Sequence, residues 1–132
     1  MIKSCGCIVF NNEKVLVIKQ VNGDYGFPKG HIEKDETELD CAYRETLEET
    51  GVRVTIDPKY RFSVSYIVNN KSIKTAVYFI AFPKSDSIKI QEEELLDARW
   101  VDACEVYNIL TYDNLKKMWM KAYSTYMEVY CG

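Results

Sequence analysis

Three glutamates, Glu45, Glu48 and Glu49, stand within five residues of a segment whose pattern is otherwise helical. On a helix, residues three and four positions apart are neighbours, so Glu45 faces both of the others. Like charges at these spacings cost about 0.2–0.5 kcal/mol per pair, and a helix built only for stability would alternate them with lysines. Carboxylate oxygens gathered on one side of a helix are the hard ligands that Mg²⁺ and Mn²⁺ prefer. The spacing therefore predicts a divalent metal site.

The residues around these glutamates also have a regular spacing. A glycine, five residues, a glutamate and seven further residues lead into the acidic segment, which ends in glycine and an apolar residue. The positions are Gly30, Glu36, Arg44, Glu45, Glu48, Glu49, Gly51 and Val52. This arrangement is similar, position for position, to the signature of the Nudix hydrolases. Its one soft position is Thr46, where the signature prefers a bulky aliphatic residue.

The resemblance implies a fold, a reaction and a cofactor. The expected fold is α/β, a Nudix-type α/β/α sandwich with a mixed β-sheet. The expected reaction is hydrolysis of a phosphoanhydride in a nucleoside diphosphate linked to another group. Mg²⁺ or Mn²⁺ is the expected cofactor, because such an ion bridges phosphate oxygens and acidifies a bound water.

The same resemblance assigns roles to the acidic residues. The implied metal ligands are Glu45, Glu48, Glu49 and the Gly30 carbonyl. Glu94, six residues before Trp100 in an Arg-Trp strand, resembles the further glutamate that many members add as a ligand or base, with Glu93 as the next candidate. We take Glu48 as the first candidate for the general base, with Glu45 or a later glutamate as the competitor.

Two residues of the signature have supporting roles. Arg44 lies four residues before Glu48 and can orient a catalytic carboxylate through a forked pair. An ordinary surface ion pair is the alternative interpretation. Glu36 precedes the helix, so we expect it to anchor the loop and not to bind metal.

Two further segments indicate a substrate. Phe27-Pro28-Lys29-Gly30-His31 and Lys74–Phe79 resemble segments of the asymmetrical diadenosine tetraphosphate hydrolases of the animal and archaeal kind. In that group the lysine reaches phosphate and the tyrosine, here Tyr78, stacks on a base. Phe27 and Leu95 depart from the pattern of the group.

The spacing of these side chains agrees with a nucleotide. Lys74 and Tyr78 have the same parity on a strand, so they point to one face about 13 Å apart. Lys29 and His31 add donors near the metal, and Tyr66 could form a second stacking wall. The alternative for each tyrosine is half-buried packing.

Other substrates and one other class of function stay open. Within the family, the alternatives are a nucleoside triphosphate pyrophosphatase that removes oxidised nucleotides, an ADP-ribose hydrolase, and an enzyme acting on capped or triphosphorylated RNA ends. A non-catalytic nucleotide sensor on the same fold is the alternative from another class. Such sensors usually lose signature glutamates, and this chain keeps them.

Composition and charge limit the class of protein. The chain has 132 residues, of which 47% are hydrophobic and 28% charged, and we expect a single Nudix domain over residues 1–132. The net charge of −3 argues against long nucleic acid as a partner. A small anionic nucleotide is compatible, because a bound cation reverses the local field.

The N-terminal sequence and the cysteines predict the location. The apolar run of MIKSCGCIVF is too short for a signal peptide or a membrane span. Five cysteines without a Cys-x-x-Cys pair, and His31 as the single histidine, argue against a structural zinc site. We therefore expect reduced thiols and a cytoplasmic protein with no membrane contact. The oligomeric state is not predicted.

The elements follow from hydrophobic periodicity and turn residues. The predicted strands are Ser4–Phe10, Lys14–Gln20, Tyr60–Val68, Ile73–Phe82 and Ala98–Asp102. A helix capped by Asp35 or Thr37 ends at Gly51. Its predicted apolar side is Leu39, Tyr43, Leu47 and Thr50. Of two terminal helices, the last buries a stripe formed by Leu115, Met118, Trp119, Ala122, Tyr126 and Val129.

Overall fold

The computed structural model describes residues 2–132. The strands are β1 (Ile2–Asn11), β2 (Lys14–Gln20), β3 (Tyr25–Gly26), β4 (Lys29–His31), β5 (Val54–Val68), β6 (Ser72–Pro83) and β7 (Leu95–Asp102). The helices are α1 (Glu38–Thr50), α2 (Ala103–Ile109) and α3 (Asp113–Tyr130). None of the helices within residues 2–132 has the length and apolar character that a membrane crossing requires.

The seven strands form one mixed sheet, as expected. Its main path runs β3-β2-β1-β6-β5, with β4 paired to β1 and β7 paired to β2. The β1–β6 pair is parallel, and the other pairs are antiparallel. In the β1–β4 pair, Cys5 lies opposite Gly30, so the start of the signature loop is fixed to a central strand.

Helices cover both faces of this sheet, so the α/β/α sandwich is confirmed. Ile8 and Phe10 of β1 face α3, where the Phe10 ring stacks on Tyr126 at 3.9 Å and on Trp119 at 5.7 Å between centroids. Cys7 and the other odd-numbered residues of β1 face α1. Alternation along one strand therefore supplies two cores.

Helix α1 begins and ends at the predicted caps. The Thr37 hydroxyl accepts a hydrogen bond from the Asp40 N–H at 3.0 Å. Gly51 ends the helix with φ of 73°, a left-handed conformation that favours glycine.

The predicted apolar side of α1 is confirmed in part: Thr50 is buried and Tyr43 packs against the core, but Leu39 is not buried. Tyr43 and Leu47 are only partly buried, and Leu39 is 37% exposed. The helix instead buries Cys41, Ala42, Thr46, Glu49 and Thr50. Small side chains let the helix lie close to β1, where the Cys7 thiol donates to the Ala42 carbonyl at 3.6 Å.

The short strands β3 and β4 were not predicted from the sequence, and the other elements agree with it apart from their ends. The buried stripe of α3 is confirmed through Tyr126, but Val129 is 45% exposed. Strand β5 begins at Val54, six residues before the predicted start. The sequence pattern misses this part because a shift of register between Asp57 and Arg61 interrupts the alternation of side chains. Strand β7 likewise begins at Leu95 and not at Ala98.

Candidate active site

Two adjoining cavities form a cleft at one edge of the fold. The first has a volume of about 550 Å³ and is lined by glutamates of α1 and of the segment before β7. The second, which we call the aromatic cavity, has a volume of about 530 Å³, and five aromatic side chains are among its lining residues: Tyr25, Phe27, Tyr66, Tyr78 and Tyr112. Four residues line both cavities: Gln20, Asn22, Lys29 and Lys74. Two lysines therefore stand between an acidic compartment and an aromatic one.

Glu45 lies in the acidic cavity against the backbone of Gly30. A Cβ atom added to Gly30 would stand 1.3 Å from Glu45 Oε2, so only glycine leaves room for this carboxylate. The Gly30 carbonyl accepts a hydrogen bond from the Cys41 thiol at 3.4 Å. Strand β4 and helix α1 thus bring the predicted backbone ligand and a predicted carboxylate ligand into contact.

Glu49 is buried, with an exposed fraction of 5%, and also lines the acidic cavity. Its Oε1 accepts the backbone N–H of Lys29 at 3.0 Å. Burial raises its pKa to about 8, although the Lys29 N–H opposes the shift. Burial also raises the pKa of Glu45, and the Glu48 and Glu94 carboxylates add to that shift. A divalent cation would offset the free-energy cost of burying these negative charges.

The other predicted ligands lie at the margin of the acidic cavity. Glu94 and Glu93 are exposed and line it, whereas Glu48 is outside the lining, half-exposed and within 3.2 Å of Arg44 Nη1. Across residues 2–132, no three acidic, histidine or cysteine side chains converge at the spacing of metal ligands. Contacts to Arg44 and to the Lys29 N–H hold Glu45 and Glu49, so these side chains must turn to share an ion.

The donor set fits a hard divalent cation. Four carboxylates lie close enough for mutual repulsion to raise the pKa of Glu45 or Glu49, and a backbone carbonyl stands beside them. Oxygen donors with excess negative charge suit Mg²⁺ or Mn²⁺ and not a soft metal. The residues that would hold the ion are Gly30, Glu45, Glu48, Glu49 and Glu94.

The predicted fork of Arg44 exists, but its partner is Glu36 and not Glu48. Arg44 Nε donates to Glu36 Oε2 at 2.6 Å, and Nη2 donates to Glu36 Oε1 at 2.9 Å. The remaining nitrogen, Nη1, contacts Glu45 at 2.8 Å and Glu48 at 3.2 Å. Arg44 therefore contacts Glu48 through one nitrogen only, because the two nitrogens that form the fork point towards Glu36 in the loop. Glu36 also accepts the Glu33 N–H at 3.0 Å, so it anchors the loop as predicted.

The predicted phosphate-binding side chains are brought together. Lys29, His31 and Lys74 all line the acidic cavity. The pKa of Lys29 is lowered by burial and then by Lys74, and the pKa of His31 is lowered by burial and by both lysines. The two lysines form a local positive region beside the glutamates, and they favour the neutral form of the adjacent His31.

The two predicted base platforms have different positions. Tyr66 is half-buried, lies opposite Lys74 across β5 and β6, and lines the aromatic cavity. Tyr78 points to the same cavity as Lys74, as the parity predicts, but is only 1% exposed. Its ring meets Phe27 edge-on at 5.8 Å. The Tyr78 ring therefore has no open stacking face, because Phe27 and the surrounding core residues cover it, and its role in stacking on a base stays a prediction.

Several residues of the aromatic cavity were not predicted from the sequence. Tyr112 lies in the connection between α2 and α3, is 54% exposed and lines the cavity together with Tyr25 and Asp24. No spacing rule links residues near 24 to residues near 112. The one sequence signal is weak: Tyr112 directly precedes the start of an amphipathic helix.

Comparison with known proteins agrees with this geometry. The asymmetrical bis(5'-nucleosyl)-tetraphosphatase of Mus musculus is 28% identical over 131 residues, which cover 87% of this chain and 88% of that protein. The structure of a C. elegans Ap4A hydrolase binary complex has a TM-score of 0.86 at 20% identity, over 97% of this chain and 98% of that chain. A MutT protein from Bacillus halodurans has a TM-score of 0.74 at 25% identity, over 91% of this chain and 80% of that chain.

The family follows from a match over nearly the whole chain. A model of the NUDIX domain matches residues 2–124, a range that contains the signature residues and both cavities' lining residues. The acidic helix, the glycine loop and the mixed sheet agree with that match. The chain belongs to the Nudix family and is a Nudix hydrolase.

Proposed function

We propose that this Nudix hydrolase cleaves a phosphoanhydride bond in a dinucleoside polyphosphate such as diadenosine tetraphosphate, with Mg²⁺ or Mn²⁺ as cofactor. The observation that carries the proposal is the position of Lys29 and Lys74, which line both the acidic and the aromatic cavity. A substrate with a base at one end and several phosphates beyond it fits that order. The murine relative is named a bis(5'-nucleosyl)-tetraphosphatase, which supports the choice of substrate.

Phosphate binding falls to the cationic region. Lys29 and Lys74 would pair with the phosphates between the nucleoside and the scissile bond, and His31 would add a donor near the glutamates. The net charge of the chain is −3, so local cations are needed to attract a polyanion. A divalent ion, when bound, neutralises charge on the phosphate oxygens and acidifies an attacking water.

The general base is one of three glutamates. Glu48 is half-exposed and touched by one nitrogen of Arg44, so its carboxylate is free to turn. Glu45 and Glu94 line the acidic cavity itself. A base must come within about 2.6–3.2 Å of the proton that it removes. Separate Gln substitutions at the three positions distinguish them, because the base affects kcat and its pH profile whereas a ligand affects metal affinity first.

Nucleoside binding falls to the aromatic cavity. Tyr66 of β5 and Tyr112 of the connection between α2 and α3 both line it. Stacking of a base on an aromatic side chain contributes about 1–3 kcal/mol. We assign the two tyrosines as the walls that receive the base.

A nucleoside triphosphate pyrophosphatase is the second candidate. One aromatic cavity of about 530 Å³ is enough for a single nucleoside, and the fold is similar to that of a MutT protein. Such an enzyme needs only the lysines, the glutamates and one base pocket. The two candidates therefore differ in whether a second nucleoside on the substrate increases turnover.

A panel of substrates with Mg²⁺ tests the proposal. Diadenosine tetraphosphate, dGTP, 8-oxo-dGTP and ADP-ribose are compared by kcat/KM, and we expect the first to be the best substrate. Equal or better turnover of the triphosphates would favour the second candidate. Glu48→Gln serves as the inactive control, and a chain that cleaves none of the four but still binds them would be a nucleotide sensor.

A further inference from the structure

Asp24 and Tyr112 join two loops at the edge of the aromatic cavity. The Tyr112 hydroxyl donates a hydrogen bond to Asp24 Oδ2, although the two residues are 88 positions apart. The same oxygen accepts the Asn22 side-chain amide at 3.1 Å. The Asp24 N–H donates to Asn22 Oδ1 at 2.9 Å, so the loop before β3 fixes its own carboxylate.

A second contact holds the two loops together. The Tyr25 N–H donates to the Thr111 hydroxyl at 2.8 Å, and the Thr111 N–H donates to the Tyr25 carbonyl at 3.3 Å. These bonds place the backbone beside Tyr112 but leave its side chain to be fixed separately. The link through Asp24 is the contact that reaches the end of the Tyr112 side chain.

Tyr112 needs such a contact because burial does not hold its ring. Its exposed fraction of 54% leaves much of the ring in solvent, where rotamers interconvert freely. An aromatic wall that must be ordered on each binding event loses affinity to the entropy of ordering. The hydrogen bond to Asp24 raises the pKa of the Tyr112 phenol, so the hydroxyl keeps the proton that it donates.

We propose that Asp24 is a positioning residue for nucleoside binding, which holds the Tyr112 ring against the aromatic cavity through its hydroxyl. The inference rests on the proposed function, because it takes the aromatic cavity as the nucleoside site. Asp24 contributes by ordering Tyr112 before the base arrives. Its loss should therefore weaken nucleotide affinity and leave the chemical step unchanged.

The test is a double-mutant cycle with AMP as the probe. Binding is measured by titration calorimetry without a divalent ion, and KM and kcat are measured with diadenosine tetraphosphate and Mg²⁺. We expect Asp24→Ala and Tyr112→Phe each to weaken AMP binding and raise KM about 3- to 5-fold with unchanged kcat. The double variant should be no weaker than either single variant, because both remove the same bond. Asp24→Asn keeps an acceptor and should bind AMP nearly as well as the unmodified chain.

A matched pair elsewhere in the chain controls for general loosening. The Tyr130 hydroxyl donates to Asp57 Oδ2 in the same way, and neither residue lines a cavity of the cleft. Asp57→Ala and Tyr130→Phe should leave AMP affinity and KM unchanged.

Two outcomes separate the failure of this inference from the failure of the proposed function. If Tyr112→Ala weakens AMP binding but the effects of Asp24→Ala and Tyr112→Phe are absent or additive, Asp24 does not position the ring. If Tyr112→Ala has no effect on AMP binding, the aromatic cavity is not the nucleoside site, and the assignment of the base walls fails with the inference.

Discussion

Arg44 and Glu36 form a two-bond fork between helix α1 and the loop that precedes it, at 2.6 and 2.9 Å. The third guanidinium nitrogen reaches Glu45 and Glu48, and Nη2 also donates to the His31 carbonyl at 3.1 Å. The fork lowers the pKa of Glu36 to about 2. One planar side chain thus sets the distance between the loop and the glutamates of the candidate metal site.

Replacing Arg44 by lysine should reduce catalysis without unfolding the chain. A lysine keeps the charge but cannot make two parallel bonds to Glu36 while contacting Glu45. Substitutions of residues that orient metal ligands typically cost 10- to 100-fold in activity, and we expect a loss of kcat/KM in that range. Steady-state kinetics over a range of Mg²⁺ concentrations measure it. Unchanged kcat/KM at every Mg²⁺ concentration would mean that the fork has no role in positioning the glutamates.

Gly30→Ala should displace Glu45 and reduce activity. The new Cβ would stand 1.3 Å from Oε2 and 1.9 Å from the carboxyl carbon, so the carboxylate must leave its place. We expect a loss of kcat of about 10- to 100-fold, because Glu45 is a proposed metal ligand. Combining Gly30→Ala with Glu45→Ala removes the clash. That double variant should stay as impaired as Gly30→Ala alone, whereas recovered activity would show that Glu45 is dispensable.

Tyr66 and Tyr78 should respond differently to truncation. Tyr66 lines the cavity half-buried, so Tyr66→Ala should raise KM about 5- to 20-fold with little change in stability. Tyr78 is 1% exposed and packs on Phe27, so Tyr78→Ala should cost about 3–5 kcal/mol of unfolding free energy. Kinetics and urea unfolding of each variant separate the two effects. A large increase of KM in Tyr78→Phe, which retains the ring, would contradict a purely packing role.

The sequence predicts those parts of the site that lie close together in the chain. Gly30, Glu36, Arg44 and the glutamates of α1 are within one loop and one helix, where helical geometry fixes which side chains are neighbours. The burial of Tyr78 and the position of Tyr112 depend on which elements pack around them. Such packing has no local periodicity.

The buried face of α1 could not be predicted from the hydrophobic pattern either. A stripe of apolar residues predicts the buried face of a helix. The prediction is inaccurate where close packing requires small side chains and leaves larger apolar ones outside. Here close packing against β1 favours Ala42 and Thr46, while Leu39 remains partly in solvent. Glu49, a charged residue on the buried face, lines the acidic cavity.

Glu38 should make the stability of the fold depend on pH below the neutral range. Its carboxylate receives Arg61 at 2.7 and 2.9 Å and Lys3 at 2.9 Å, contacts that join α1 to β5 and β1. The Arg61 hydrogen bonds lower the pKa of Glu38 from 4.5 to about 2, against the opposing effect of burial. A carboxyl with a lowered pKa in the folded state stabilises the fold above pH 4.5, and this contribution disappears as the pH falls towards 2.

Glu38→Gln measures that contribution directly. Arg61 is about half-exposed, so solvent screening reduces the effect, and we expect the variant to be less stable by about 1 kcal/mol at pH 7. The difference in unfolding free energy should narrow through pH 4 and 3 and nearly vanish close to pH 2, because protonated Glu38 and glutamine are both uncharged. Urea unfolding at these pH values gives the curve. In an Arg61→Gln background the same substitution should have a smaller effect, and a gap that stays constant with pH would show that the ion pair does not stabilise the fold.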